Sequence, residues 1–559
     1  MRTHYPRTPH LPWSPGASSD DVRLTGRADL TGFTGSEVVV TEKMDGENTT
    51  LYADGLHARS LDSAHHPSRA RVKALQGRVG PRIPAGWRIC GENVFARHSI
   101  PYDGLAGHFY GFSVWDGDTC LGWDRTVAFL HGLGIPAPPV LWRGVFDARA
   151  ERTLRALRLD TGRQEGYVVR PAGSFPAAEF GRRVAKWVRP GHVVTDTHWM
   201  HAAVVENALG PSAALWDVRS GAPVDPVALA AAASAGSGDA PAALAAADAL
   251  DAMGLTGDDR LSGVLAALLH RTRRAALAPA LADPLGMPLA RRVADLVGLA
   301  PSLHRPHPDE ERRGGLARMS FAARLPVLHA VAGALAPSPE AREQVEWSRL
   351  HAEEVGEPAG LREAFAELEP AAADRCLAQA RQAYALGRIG TAEEAVAATW
   401  RWRDGNFPRL IHLVGPSGSG KSTFGRALPG TDTYISLDDL RLARGSRADQ
   451  SANADVLREG LRRLDAALVP GATVVWDATS LNPHQRNLVH AVADRRDALL
   501  THAVAWTGED ELTARNARRT HPVPPEVLDS QLRRFVPPYP GQAHRTWYIG
   551  SSTTVEDRA

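Results

Sequence analysis

The stretch that most constrains the fold of this chain is the run Leu410-Ile411-His412-Leu413-Val414, followed at once by Gly415-Pro416-Ser417-Gly418-Ser419-Gly420-Lys421-Ser422-Thr423. The pattern G-x-x-x-x-G-K-S, set between a buried strand and a helix, makes a loop whose backbone N–H groups converge on one point. The helix that follows adds its positive end, so the loop suits a phosphate. Lys421 would reach the β- and γ-phosphates of a nucleotide, and Ser422 would ligate a divalent cation. A strand–loop–helix of this kind belongs to an α/β domain with a parallel sheet. Thr473-Val474-Val475-Trp476-Asp477 is expected to be its second strand, with Asp477 the acid near the metal.

At 559 residues the chain has room for about three domains, and three are expected, over 1–200, 201–400 and 401–559. The first is strand-rich. Gly35–Lys43 is a β-branched run, Asn48–Ser60 reads as a hairpin around Asp54-Gly55, and WRICGE, FYGFSVWD, EGYVVRP and RRVAKWVR supply further strands. From about 200 to 400 Ala, Leu, Arg and Glu recur at helical spacing, and the low-complexity stretch 222–249 reads as a flexible tether. No apolar run approaches a membrane span, and MRTHYPRTPHLPWSPG lacks a signal-type apolar core, so a cytoplasmic protein without a membrane partner is expected. Three scattered cysteines, Cys90, Cys120 and Cys376, suggest neither a disulfide framework nor a zinc site. A net charge of +1 excludes a globally basic nucleic-acid binder and leaves phosphate contacts to local patches.

Lysine usage carries more information than net charge. The chain has 64 Lys and Arg residues but only four lysines: Lys43, Lys73, Lys186 and Lys421. Arginine evidently serves wherever a surface cation suffices. A lysine kept against that bias marks a place where guanidinium fails, because lysine can lose its proton and attack, and offers phosphate a compact point charge.

Lys43 lies in Glu42-Lys43-Met44-Asp45-Gly46-Glu47-Asn48-Thr49, where a strand runs into a Gly turn. A lysine there, with cations nearby, is expected to have a lowered pKa and to act as a nucleophilic amine. Downstream, in order, come Arg59-Ser60, Gly91-Glu92, FYGFSVWD, Glu165-Gly166-Tyr167-Val168-Val169-Arg170 and Val184-Ala185-Lys186-Trp187. Over roughly residues 35–200 this series resembles the ATP-dependent RNA ligases of the covalent nucleotidyltransferase superfamily, whose fold has ATP-grasp-like antiparallel sheets. The resemblance implies that Lys43 attacks the α-phosphate of ATP to give a lysyl–AMP intermediate. It implies that Asp45 and Gly46 shape the turn, and that Arg59 contacts that phosphate or an incoming 5′-phosphate. Glu92 holds the sugar, Phe112 stacks on adenine with Tyr110, on the same face by the period-2 rule, as the alternative, Glu165 binds metal, and Lys186 neutralises the α-phosphate. Glu42 and Asn48 line the same pocket. The family usually carries two lysines two apart in its last motif. Here Val184 and Val188 flank Lys186, leaving Arg183 or Arg189 to compensate, although a regular strand would turn both away.

Beyond the phosphate loop, Ser436-Leu437-Asp438-Asp439-Leu440-Arg441 follows a short strand, and Arg515-Asn516-Ala517-Arg518-Arg519 precedes His521-Pro522-Val523-Pro524-Pro525. Over roughly 408–540 the chain resembles phage-type polynucleotide 5′-kinases. The resemblance implies a general base at Asp438, an acceptor-phosphate ligand at Arg441 and a lid arginine at Arg519, with Arg515 the second candidate. The two resemblances together imply a bifunctional RNA end-repair enzyme using ATP and Mg2+ (or Mn2+). RNA would be its substrate, DNA ends a further substrate of the kinase, and a separate 3′-phosphatase or cyclic phosphodiesterase its partner. The competing reading is an RNA-binding nucleotide sensor with a P-loop ATPase switch and a non-sealing ligase-like domain.

Overall fold

The structure, a computed structural model, describes residues 2–61, 66–191, 204–356, 358–444, 453–519 and 522–559. Its first ten strands are β1 (Glu37–Lys43), β2 (Glu47–Tyr52), β3 (Gly55–Ala58), β4 (Trp87–Asn93), β5 (Phe109–Asp116), β6 (Thr119–Cys120), β7 (Val140–Val145), β8 (Gly166–Pro171), β9 (Phe175–Pro176) and β10 (Ala185–Val188). They form two antiparallel sheets, in the orders β10-β8-β1-β7 and β3-β2-β4-β5-β6-β9. β-Branched residues suit such pleated, buried surfaces. Val38 and Val40 of β1 are buried with Phe33, Phe146, Tyr167 and Val169, while Leu51, Ile89 and Val114 fill a second core beneath the other sheet.

The turn Met44–Gly46 carries the chain from the first sheet to the second, so Lys43 ends a strand of one sheet just before β2 begins the other. Glycine is required there: a Cβ on Gly46 would stand 2.4 Å from the carbonyl oxygen of Asn93. Residues Pro9 to Leu11 extend the first sheet beside β10, with Lys186 donating its N–H to Pro9 O and Leu11 donating to Lys186 O.

The remaining strands are β11 (Arg409–Val414), β12 (Thr433–Ser436), β13 (Thr473–Asp477), β14 (Leu499–Ala505), β15 (Arg545–Ile549) and β16 (Val555–Arg558). They make one sheet in the order β12-β13-β11-β14-β15-β16, parallel except for β16. Later strands lie on both sides of β11, which places the crevice for a ligand at its carboxyl end. Leu410, Val474 and Trp476 face one core, and Ile411, Leu413 and Val475 face the other.

The chain divides into two compact units, Met1–Ala232 with Leu250–Leu261 and Ala233–Ala249 with Ser262–Ala559. The helical stretch is thus shared between them. In the second unit, Asp295 is fully buried and bound by Arg274 (2.9 Å) and Arg291 (2.8 Å), and Arg291 also reaches Asp557 of β16. These helices are therefore locked to the parallel sheet through a buried charge network with its partners in place.

The Ala-rich stretch 222–249 departs from the expected tether. Helices Pro226–Ala232 and Ala240–Ala252 occupy most of it, and Ala243, Ala246 and Leu250 are fully buried. Alanine has the highest helix propensity, and a small side chain lets helices pack closely, so low complexity here reflects packing. Among the described residues no helix is long and apolar enough to cross a membrane.

Candidate functional sites

A cavity of about 740 Å³ opens in the first unit. All ten residues singled out from the sequence line it: Glu42, Lys43, Asp45, Gly46, Asn48, Arg59, Glu92, Phe112, Glu165 and Lys186. The fourth lysine, Lys73, is exposed on the helix Ala70–Val79.

The Lys43 ammonium is paired with the Glu165 carboxylate, which is only 6% exposed. Burial alone would push the Lys43 amine down. Glu165, Glu92 and Asp45 outweigh burial and hold its pKa above the ordinary lysine value, the reverse of the sequence expectation. The charges that act most on Lys43 are anionic. Burial pushes Glu92 up to about 8, against the pull of Lys43. Glu42 is also raised by burial and accepts a hydrogen bond from Gln164 Nε2 at 2.9 Å. Lys186 is lowered by burial, with the Lys43 charge adding to the effect.

Asp45 has structural work in the turn. Its Oδ2 accepts from Ser99 N (2.7 Å), Ser99 Oγ (2.7 Å) and Ile100 N (2.8 Å), and its own N–H donates to Tyr102 Oη at 2.9 Å. Phe112 and Tyr110 do not share a face. The β4–β5 register shifts between Cys90 and Gly91, so Cys90 pairs with Ser113 but Gly91 with Gly111, and Phe112 is the extra residue of a bulge. Phe112 lines the cavity, whereas Tyr110 packs against Met44, Val94 and Leu105. Neither Arg183 nor Arg189 replaces the second lysine. Arg183 binds Glu179 and Gly32 O, and Arg189 binds Thr161 O.

Other cations stand in the wall instead. Arg7, Arg69 and Arg170 line the cavity; Arg69 grips Glu47 through Nε–Oε2 at 2.7 Å, and Arg170 is buried with its Nε unpartnered. The segment His4–Thr8 forms part of the same wall, with His4 Nδ1 bonded to Arg59 O at 3.0 Å. Among 60 arginines none of these could be singled out, and the first eight residues carry no motif.

In the second unit the loop after β11 has the geometry of a phosphate cradle. Gly418 and Gly420 take φ of +85° and +88°, which only glycine adopts without strain. Pro416 and Ser417 begin the loop, and Ser417 N donates to Gln531 Oε1 at 2.8 Å. Ser419 Oγ is buried without a partner, and Lys421, Ser422 and Thr423 open the helix Lys421–Ala427. Burial lowers the Lys421 pKa, opposed by Asp477 and Asp438 and reinforced by Arg519, so these three lie within electrostatic reach of Lys421. Asp477 ends β13 beside Leu413 and accepts from Tyr434 Oη at 2.7 Å. Asp438 is paired with Arg441 at 2.6 Å. Arg515 is tied to Glu511 and to Ser551 O. Asn516, not singled out from sequence, exchanges two hydrogen bonds with the backbone of Val523, at 2.7 and 2.9 Å. His521 lies outside the described residues.

Both sites have donor sets suited to a divalent cation. Glu165, Glu92 and Glu42 line one cavity, and Asp477 ends the strand beside β11 while Ser422 opens the helix after the phosphate loop, so each site offers oxygen donors.

Comparison with known proteins agrees with this division. Residues 36–188 match the RNA ligase family model and residues 410–538 match an AAA domain model. No curated protein matches the chain significantly. Similar solved structures include a Naegleria gruberi RNA ligase with PPi, 22% identical over 29% of this chain and 51% of that one (TM-score 0.22). An archaeal ATP-dependent RNA ligase is 19% identical over 33% and 48% (0.23), and Chaetomium thermophilum Kti12 with ADP-AlF3 is 19% identical over 25% and 88% (0.22). The chain spans about half the length of the ligases it matches. The chain thus matches the RNA ligase family model near its N-terminal end and an AAA domain model near its C-terminal end.

Proposed function

We propose that this protein is a bifunctional RNA end-repair enzyme, a polynucleotide 5′-hydroxyl kinase joined to an ATP-dependent RNA ligase that works through lysyl–AMP. The observation that carries the reading is the convergence of Lys43, Glu92, Phe112, Glu165 and Lys186 on one cavity. In the ligase site the Lys43 amine attacks the α-phosphorus of ATP. A P–N bond forms, the bond to the bridging oxygen of the β-phosphate breaks, and pyrophosphate leaves. Lys43 must first give up a proton that Glu165, Glu92 and Asp45 help it keep. In this reading Lys186 neutralises charge on the α-phosphate, Glu92 holds the ribose and Phe112 meets the base, and all three line the cavity with Lys43. Glu165 and its neighbouring carboxylates would hold a divalent cation, which screens the triphosphate when bound.

In the kinase site the Gly415–Thr423 loop cradles the donor phosphates. Asp438 takes the proton of the 5′-hydroxyl, and Arg519 closes on the transferring phosphoryl group. Arg441, now paired with Asp438, would exchange that partner for the acceptor phosphate. Ser422 and Asp477 would hold the metal that accompanies the nucleotide.

A specific observation keeps the sensor reading in play: Val188, buried, stands two residues after Lys186, and neither adjacent arginine reaches the cavity. Incubation with α-labelled ATP, then with 5′-hydroxyl RNA and γ-labelled ATP, separates the two. Labelled protein followed by phosphorylated and sealed RNA supports the repair enzyme. Bound nucleotide with neither a protein adduct nor phosphorylated RNA refutes it.

A further inference from the structure

Three histidines meet inside the second unit, and neither proposed activity uses them. His412 of β11 and His502 of β14 are register partners on adjacent parallel strands, and His490 reaches them from the helix Pro483–Arg495. One ring nitrogen from each can be chosen so that all three lie within 4.8 Å of one another. The ring centroids are 4.9, 5.6 and 6.0 Å apart. Three imidazoles on one tetrahedral ion, with bonds of about 2.0–2.1 Å, have centroids about 5 Å apart.

The polar groups here are under-satisfied. His412 and His502 have no exposed surface, and the Nδ1 atom of each is buried without a hydrogen-bond partner. The contacts they do make are His490 Nε2 to His502 Nε2 at 2.8 Å and His412 Nε2 to Ser480 Oγ at 2.7 Å. Apolar side chains at positions 412 and 502 would bury no unpartnered Nδ1, so the imidazoles answer to something other than packing. Ser480 takes φ of +49°, a left-handed conformation unusual for serine, at the position that offers its hydroxyl to His412. Burial pushes all three histidines down, His490 to about 4, which keeps the rings neutral and their lone pairs available. Arg486, whose charge also bears on the cluster, directs its guanidinium to the carbonyls of Ser480 and Val536 at 3.1 and 3.0 Å.

We infer that His412, His490 and His502 bind one transition-metal ion of the zinc type, with a water or hydroxide held by Ser480 in the fourth position. Three imidazoles without a carboxylate suit Zn2+ and Co2+ rather than Mg2+, so the site is chemically separate from the two nucleotide sites. Each ring binds through one nitrogen and carries its proton on the other, so the proton shared between His490 and His502 moves to a distal nitrogen. The ion would cross-link β11, β14 and the helix over them, and thus stiffen the strand that feeds the phosphate loop.

The test uses the full chain, stripped with a chelator and titrated with Co2+ in excess Mg2+. The expected result is about one Co2+ per chain with the strong visible bands of four-coordinate cobalt, displaced by Zn2+. His490→Gln should weaken binding at least about tenfold, while His484→Gln, at an exposed position on the same helix, leaves it intact. No tight binding, the weak bands of six-coordinate cobalt, or undiminished binding in a folded His490→Gln protein would overturn the inference. Should that variant melt early without metal, the wild-type spectrum and stoichiometry decide alone.

Discussion

Asp45 stands two residues from Lys43, the proposed nucleophile, and the structure separates a scaffold role for it from a chemical one. Three hydrogen bonds, from Ser99 N, Ser99 Oγ and Ile100 N, converge on a single oxygen, Oδ2. Asp45→Ala leaves the Ile100 N–H orphaned in a fully buried residue, at about 1–3 kcal/mol, and the Ser99 groups orphaned where water has partial access. The sum is about 2–4 kcal/mol. Asp45→Asn can place its carbonyl oxygen where Oδ2 was, keep all three bonds and lose only charge assistance, about 1 kcal/mol. Because a two-unit chain need not unfold in one step, the readout should be local: amide hydrogen exchange over residues 94–105. Asp45→Ala should speed exchange there by about 30- to 700-fold, at tenfold per 1.4 kcal/mol, and Asp45→Asn by less than about tenfold. Asp45→Asn should also still form the AMP adduct, since losing this carboxylate removes one of the charges that keep Lys43 protonated. Unchanged exchange in Asp45→Ala would refute the scaffold argument. So would a well-folded Asp45→Asn protein that forms no adduct, which would give Asp45 a part in the chemistry.

Lys43→Arg keeps the charge but should abolish an acid-labile, alkali-stable AMP adduct seen on gels with labelled ATP, because arginine stays protonated; an adduct in that variant would reassign the nucleophile. Adduct formation in the wild type should climb by about tenfold per pH unit through neutrality. The sign follows from Lys43: its pKa is raised, the attacking form is the free amine, and that form grows with pH up to the raised value. A profile flat from mildly acid to mildly alkaline pH would show that proton loss does not limit the step. Lys421→Ala and Asp438→Ala should eliminate 5′-phosphorylation yet leave sealing of pre-phosphorylated RNA within about twofold, as expected for independent sites; joint loss of both activities in a folded variant would contradict separate sites. RNA ends bearing a 2′,3′-cyclic phosphate should not be sealed until a separate 3′-phosphatase or cyclic phosphodiesterase is added, and sealing by the protein alone would reveal a further active site.

What could be read from the chain was what local pattern dictates. The phosphate loop needs glycine at positive φ, as at Gly418 and Gly420, and a lysine at the helix start, so spacing alone identified it. Nine of the ten residues read around Lys43 lie at or near the end of a strand that sequence alternation could place, and Phe112 in the middle of β5 is the exception. Failures of the reading came where geometry depends on partners distant in the chain. The one-residue bulge at Phe112 undoes the period-2 rule that put Tyr110 on its face, and a bulge is a property of the β4–β5 pair. The sign of the Lys43 shift was misjudged because proximity to Glu165, 122 residues away, is set by the pairing of β1 with β8. Arg69 and Arg170 were invisible for the reason that made the lysines conspicuous: in a chain that spends arginine freely, only burial and contact distinguish a working guanidinium from a solvated one. That asymmetry bears on the missing second lysine. In the proposed ligase reaction Lys186 stands alone at the α-phosphate, because Val184 and Val188 carry no charge. Arg170, buried in the cavity wall with an unpartnered Nε, offers a fixed cation from a neighbouring strand, since Ala185 pairs with Val169 beside it. If Arg170 supplies the missing charge, Arg170→Lys, which keeps charge but not the guanidinium fork, should lower sealing more than it lowers AMP-adduct formation. Equal loss of both would mean that Arg170 only holds Phe112 in place.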